Sequence, residues 1–217
     1  SAADLTKAGT LARGIINKME LHPIYSHGPS WLAANRAFKA QYERAQGGKA
    51  EAQYELACMY HEGRGTLADA EEAAKWCRKA AEQGYPEAMN SLALSYRDGD
   101  GVPVDEKQML YWFRKAAERQ NADAELSLAQ CYENGQGVGV DAKEARRWLE
   151  LSATHGHPIA QENLALEIGE TTELAPLRQA NEWLRKSAMQ GNAAACLRLG
   201  ANHIIGRGTA KDLPLGL

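Results

Sequence analysis

The residues of this chain that could carry chemistry are four cysteines, six histidines and a series of paired glycines. Cys58, Cys77, Cys131 and Cys196 stand 19, 54 and 65 positions apart. A zinc ribbon or a thioredoxin-type redox centre needs two cysteines three apart, so that both sulfurs reach one point, and no such pair exists. Four cysteines are also too few to replace a core in a chain of 217 residues. They are expected to be unpaired, small buried apolar side chains on helices. Among His22, His27, His61, His155, His157 and His203 there is no H-E-x-x-H, the spacing that sets two imidazoles one turn apart on a metal. His155 and His157 read as a solvated turn, and His61 as the exposed edge of a helix.

The glycine pairs Gly63/Gly65, Gly99/Gly101 and Gly135/Gly137 could in principle cradle a phosphate. Neither G-x-x-x-x-G-K-[ST] nor a G-x-G-x-x-G following a strand is present, so helix stops explain them better. Arg97 to Gly101 glances toward a calcium loop, but Val102 falls where a third oxygen ligand is needed and no glutamate closes the loop. No serine opens an S-x-x-K or sits in a G-x-S-x-G, which removes the usual serine hydrolase signatures. Cys77 lies beside Arg78 and Lys79, which could lower a thiol pKa, yet a packed role is expected. No catalytic, cofactor or metal residue is therefore assigned, and no enzyme activity is expected. A hydrolase acting on cell-wall or β-lactam substrates stands as a remote alternative.

The elements behind these residues come from an internal repeat. Trp76, Trp112, Trp148 and Trp183 are separated by 36, 36 and 35 residues. Tyr60, Tyr96 and Tyr132 keep the same step, as do Leu56, Leu92, Leu128, Leu164 and Leu199, and Ala52, Ala88, Ala124, Ala160 and Ala195. Ala52, Leu56 and Tyr60 fall at i, i+4 and i+8, one apolar stripe of a helix. That first helix stops at Gly63, Gly99 or Gly135, where a residue without Cβ takes the left-handed conformation. Asp69, Asp105 and Asp141 then precede Glu72, Gln108 and Glu144 by three, the spacing of a capping box. A second helix follows and closes at Gly84, Gln120, Gly156 or Gly191.

The tracts YRDGDGVPVDEKQMLYWFRKAAERQ from Tyr96 and YENGQGVGVDAKEARRWLELSATHG from Tyr132 resemble the Sel-1-like repeat, a relative of the tetratricopeptide repeats. The resemblance covers roughly residues 49–212 and implies an all-α right-handed superhelix acting as a protein-binding scaffold. The expected organisation is N-terminal helices with a degenerate half-repeat over 1–48, repeats over 49–84, 85–120, 121–156 and 157–191, and a partial fifth repeat with a tail over 192–217. Residues 3–19 are expected to form a helix, followed by a loop over His22–Ser30. The fourth repeat departs from the pattern: Ile168 takes the tyrosine column, the glycine pair is missing, and Pro176 replaces the capping aspartate. Some cysteine-rich members of the family, with a regular cysteine pair in each repeat, are linked to penicillin binding. Here the cysteines occupy unrelated columns.

In tetratricopeptide-like stacking the first helices line the concave wall. Residues offset from the apolar stripe should face the groove: Glu51, Tyr54, Cys58, His61 and Glu62, then Glu87, Asn90, Leu94, Arg97 and Asp98, then Asp123, Leu126, Gln130, Glu133 and Asn134. Glu62, Asp98 and Glu133 make the edge acidic, which suits a peptide or loop bearing Lys or Arg, with Tyr54 as an aromatic anchor. The net charge of -3 argues against a nucleic-acid partner, and no apolar run reaches the ~18 residues of a membrane span. The expected function is a bacterial adaptor in signalling, envelope assembly or secretion. An immunity protein that neutralises a secreted toxin is the alternative within the same class. Unpaired cysteines suit the cytosol, while a chain starting at Ser1 suits a processed periplasmic or secreted protein, so the sequence selects neither compartment nor oligomeric state.

Overall fold

The computed structural model describes residues 29–170 and 172–208, the side chains of residues 29–32 excepted. Ten helices and no strand occur among them: α1 (Pro29–Gln46), α2 (Ala50–Glu62), α3 (Ala70–Glu82), α4 (Pro86–Asp98), α5 (Glu106–Ala117), α6 (Ala122–Asn134), α7 (Ala142–Thr154), α8 (Pro158–Gly169), α9 (Leu174–Met189) and α10 (Ala193–Ile205). Two compact units divide after Val104. The first contains α1–α4, the second α5–α10. The helix expected over residues 3–19 and the C-terminal tail lie outside the described residues. Of the loop expected over His22–Ser30, residues 22–28 lie outside the described residues, and Pro29 and Ser30 belong to α1 instead.

The first helices stop where the glycine columns predict. Gly99 ends α4 at φ +75°, and its N–H turns back to the Ser95 carbonyl. The next glycine does more than shape a turn. A Cβ on Gly101 would stand 2.0 Å from the carbonyl oxygen of Ala70, so the turn lies directly on the start of α3. Asp69, Asp105 and Asp141 cap α3, α5 and α7, each accepting the N–H three residues on at 3.0, 3.0 and 3.1 Å. The reciprocal half of the capping box is replaced. The N–H groups of Asp69 and Asp141 donate to the Tyr60 and Tyr132 carbonyls at 2.9 Å. Glu72 and Glu144 turn instead to Lys75 and Arg147. Pro176 is not at a cap: α9 starts two residues earlier, placing it in the first turn, where no N–H is required. Gln120 holds φ +60° in a column otherwise filled by Gly84, Gly156 and Gly191.

Alanines at the phased positions let the helices close on one another. Ala52, Ala88, Ala124, Ala160 and Ala195 are all buried, as are Leu56, Leu92 and Leu128 of the leucine column. In the first unit, the Phe38 ring meets Tyr60 edge-on at 5.2 Å and Tyr42 meets Trp76 at 5.7 Å, joining α1 to the repeat that follows. Of the cysteines, Cys77 and Cys131 are buried as expected, but Cys58 is only half-buried and Cys196 is exposed; all four are free.

His155 is exposed in its turn as expected and His157 is half-buried, but each is paired with a carboxylate. His155 Nδ1 lies 2.8 and 2.9 Å from the two carboxylate oxygens of Glu125, whose side chain is 2% exposed. His157 Nε2 pairs with Asp123 at 3.1 Å, and its Nδ1 accepts the Ala160 N–H at the start of α8. Two other members of the Glu125 column, Gln53 and Gln161, make the same link with neutral groups, while Met89 stands between them without one. Gln83 donates to Gln53 at 2.7 Å, and Gln190 donates to Gln161 at 3.0 Å.

Candidate partner-binding site

Three helices of the first unit surround a cavity of about 330 Å³. From α2 come Tyr54, Cys58, His61 and Glu62, spaced to share one helix face. Leu94 and Asp98 of α4 stand opposite. The floor is α3, which presents Ala70, Ala73, Ala74 and Cys77. In the next repeat the same four columns carry Glu106, Met109, Leu110 and Phe113, and Met109 and Phe113 are each only 1% exposed. The space thus follows from four short side chains on α3.

The interior is neutral. The Tyr54 and Ser91 hydroxyls lie 3.1 Å apart, and the Tyr54 ring tilts against Tyr85 at 5.4 Å, which fixes it as a wall. Burial disfavours the charged forms inside, pushing the Tyr54 phenol and the Cys77 thiol each up to about 12 and raising the Cys58 thiol. Neither thiol is a ready nucleophile. Charge gathers outside this neutral zone. His61 Nδ1 lies 3.1 Å from Asp100, Glu62 pairs with Arg64, and Arg97 holds Asp98 at 2.8 and 2.9 Å. That guanidinium keeps the Asp98 carboxyl below the usual carboxylate range.

Of the residues expected to face a groove, Tyr54, Cys58, His61, Glu62, Leu94 and Asp98 are brought together here. Arg97 serves Asp98 from beside the cavity. Glu51 and Glu87 are exposed in the first turns of α2 and α4, where their charges, with burial as the larger cause, raise the Tyr85 phenol. Asn90 is outside the cavity, and its Oδ1 is buried without a hydrogen bond. Asp123, Gln130, Glu133 and Asn134 are exposed on α6, in the second unit. Leu126 does not face a groove: it is 8% exposed and packs with Ala153, Ala160 and Leu164. Ser91, Ser95, Asp100 and the α3 floor were not anticipated. The contrast between Ala73 and Met109, and between Cys77 and Phe113, was the sequence signal for the floor.

Among the described residues no group of three or more His, Cys, Asp or Glu side chains could hold a metal ion, and no helix is long and apolar enough to cross a membrane. The Sel1 repeat model matches residues 50–85, 86–121, 122–157, 158–192 and 193–217. A Sel1 repeat protein from Oxalobacter formigenes is 35% identical, with a TM-score of 0.78 over 83% of this chain and 53% of its own. A protective antigen present in uropathogenic Escherichia coli strains, displaying an SLR fold, is also 35% identical, with a TM-score of 0.68 over 80% of this chain and 38% of its own. An immunity protein from Pseudomonas aeruginosa has a TM-score of 0.52 at 19% identity, over 87% and 68% of the two chains, a likeness of fold alone. No curated protein matches. This chain therefore spans about half of the Oxalobacter protein and less of the Escherichia one. Proteins built of such repeats are generally protein-interaction scaffolds, and their all-α superhelical class is the class of this fold. Five consecutive repeat matches, laid on helix pairs with these stops, caps and alanine seams, place the chain in the Sel1 repeat family.

Proposed function

We propose that this chain is a non-catalytic binding module that holds a partner protein, through a peptide or loop carrying Lys or Arg, on the first-helix side of its repeats. The observation that carries the reading is the convergence of Tyr54, Cys58, His61, Glu62, Leu94 and Asp98 on one cavity with carboxylates beside it. A concave, mainly apolar site with few polar groups is where recognition concentrates. The high thiol and phenol pKa values speak for packing and against nucleophilic chemistry. Glu51, Glu87 and Asn90 belong to the proposed surface of the first unit beside that centre, and Gln130, Glu133 and Asn134 are proposed as contacts on the second unit.

The test is affinity capture from the native host with the wild-type chain and with the combined variant Tyr54→Ala, Arg97→Glu, Glu133→Lys, checked first for native helicity. Loss of the captured proteins supports the reading. Unaltered capture moves binding to another face and overturns it. Stoichiometric capture of one secreted toxin would assign the immunity role, and capture of several weaker partners the adaptor role.

A further inference from the structure

We infer that the cavity over α3 is an anchor pocket for one large apolar side chain of the partner, flanked in the partner's sequence by Lys or Arg. This rests on the binding reading above and adds the chemistry of the segment that is recognised. A side chain entering from outside puts its tip among Ala70, Ala73, Ala74 and Cys77. No charged group waits there, so a buried ammonium or guanidinium would lose its water without a counter-ion. An apolar tip loses nothing and covers alanine and cysteine surface. The cationic positions of the partner belong at the neighbouring backbone positions, where Glu62, Asp98 and Asp100 are exposed or half-exposed. Their present partners are exposed ion pairs, which exchange at little cost. The Tyr54–Ser91 contact and the Tyr54–Tyr85 ring contact keep the wall in place before binding, so little ordering is left for the complex. The columns supply a plug for the pocket: Met109 and Phe113 stand in the next repeat where Ala73 and Cys77 stand here.

The experiment uses fluorescein-labelled nonapeptides that differ at a central residue, phenylalanine or alanine, and in the residues flanking it, lysine or glutamate. Anisotropy with the full chain should show the lysine-flanked phenylalanine peptide binding at least ten-fold tighter than the other three. Its advantage over the glutamate-flanked peptide should shrink as salt is raised. The plugged variant Ala73→Met, Cys77→Phe should lose the preference for phenylalanine, and Ala73→Met alone should weaken it while keeping wild-type helicity. Equal binding of all four peptides by the wild-type chain, or no binding, overturns the pocket without any variant having to fold. If the plugged variant still captures the native partner, the pocket falls while the wider binding reading stands. If the combined variant of the capture experiment also retains it, both fall.

Discussion

Gly101→Ala probes the seat of one repeat turn on the helix before it. Two separate costs fall on that one methyl group. The residue holds φ +70°, a left-handed conformation that costs an L-residue with a Cβ about 1–2 kcal/mol. The new Cβ would also stand 2.0 Å from the Ala70 carbonyl oxygen and 2.4 Å from its carbon. Both atoms are backbone, so either the turn or the start of α3 has to move, at an overpacking cost of about 1–3 kcal/mol. Gly99 supplies the internal control. Its φ of +75° carries the same conformational cost, but the nearest atom is Val104 Cγ2 at 3.0 Å, on a side chain that can rotate away. Gly101→Ala should therefore exceed Gly99→Ala by roughly 1–3 kcal/mol in urea unfolding followed by circular dichroism. Gly99→Asn should be milder than Gly99→Ala, because asparagine tolerates the left-handed region. Equal losses at Gly99 and Gly101 would refute the seat and leave only a conformational role for the second glycine.

Gln120→Gly should stabilise by about 0.5–1 kcal/mol, since it relieves the left-handed strain at φ +60° at the expense of chain entropy; a lower urea midpoint would contradict this. His155→Ala should cost about 3 kcal/mol by stranding the buried Glu125, whereas Glu125→Gln combined with His155→Gln should recover most of that, because the column already holds Gln53–Gln83 and Gln161–Gln190. The Tyr54 phenol keeps its proton in the folded chain up to about 12, against 10.0 ordinarily, so its contribution is complete below pH 10 and declines as pH rises from 10 to 12. Tyr54→Phe should show a shallower alkaline loss of stability over that interval, and a steeper one would be inconsistent with burial of the neutral phenol. Thiol titration should find all four cysteines reduced, with Cys196 alkylated first, Cys58 more slowly, and Cys77 and Cys131 only on unfolding.

Much of the helix-pair architecture was legible because it is written locally and repeatedly. A tryptophan every 36 residues, and a left-handed glycine at a fixed distance from it, need no knowledge of distant contacts. Pro176 shows the limit of reading by column: a helix can take its N-cap three residues early, at Glu173, and leave the expected cap position inside its first turn. The pairing of His155 was missed because its partner lies 30 residues back. A lone histidine in a turn gives no sign of that, although the alignment of Gln53, Glu125 and Gln161 in one column does. Leu126 was misplaced because its column is half-buried at Tyr54 and Asn90, and an aliphatic side chain there closes onto Ala153, Ala160 and Leu164 instead. Six of the residues lining the cavity came from first-helix spacing. Its floor came from what α3 lacks, which becomes visible only when Ala73 is compared with Met109.

The glycine turn seated on the preceding helix also bears on how such a chain changes in length. Gly101 meets Ala70, 31 positions earlier, and Gly137 approaches Glu106 at the same separation. Every such docking contact joins one repeat to the repeat before it at a fixed separation. Excising or duplicating a whole period sets an equivalent turn on an equivalent helix start, so unequal recombination can alter copy number without inventing a new contact. A cut out of phase strands a glycine over a side chain and a Cβ over a carbonyl. Lineages can therefore add or lose whole modules while specialising individual ones, as the short side chains of α3 illustrate.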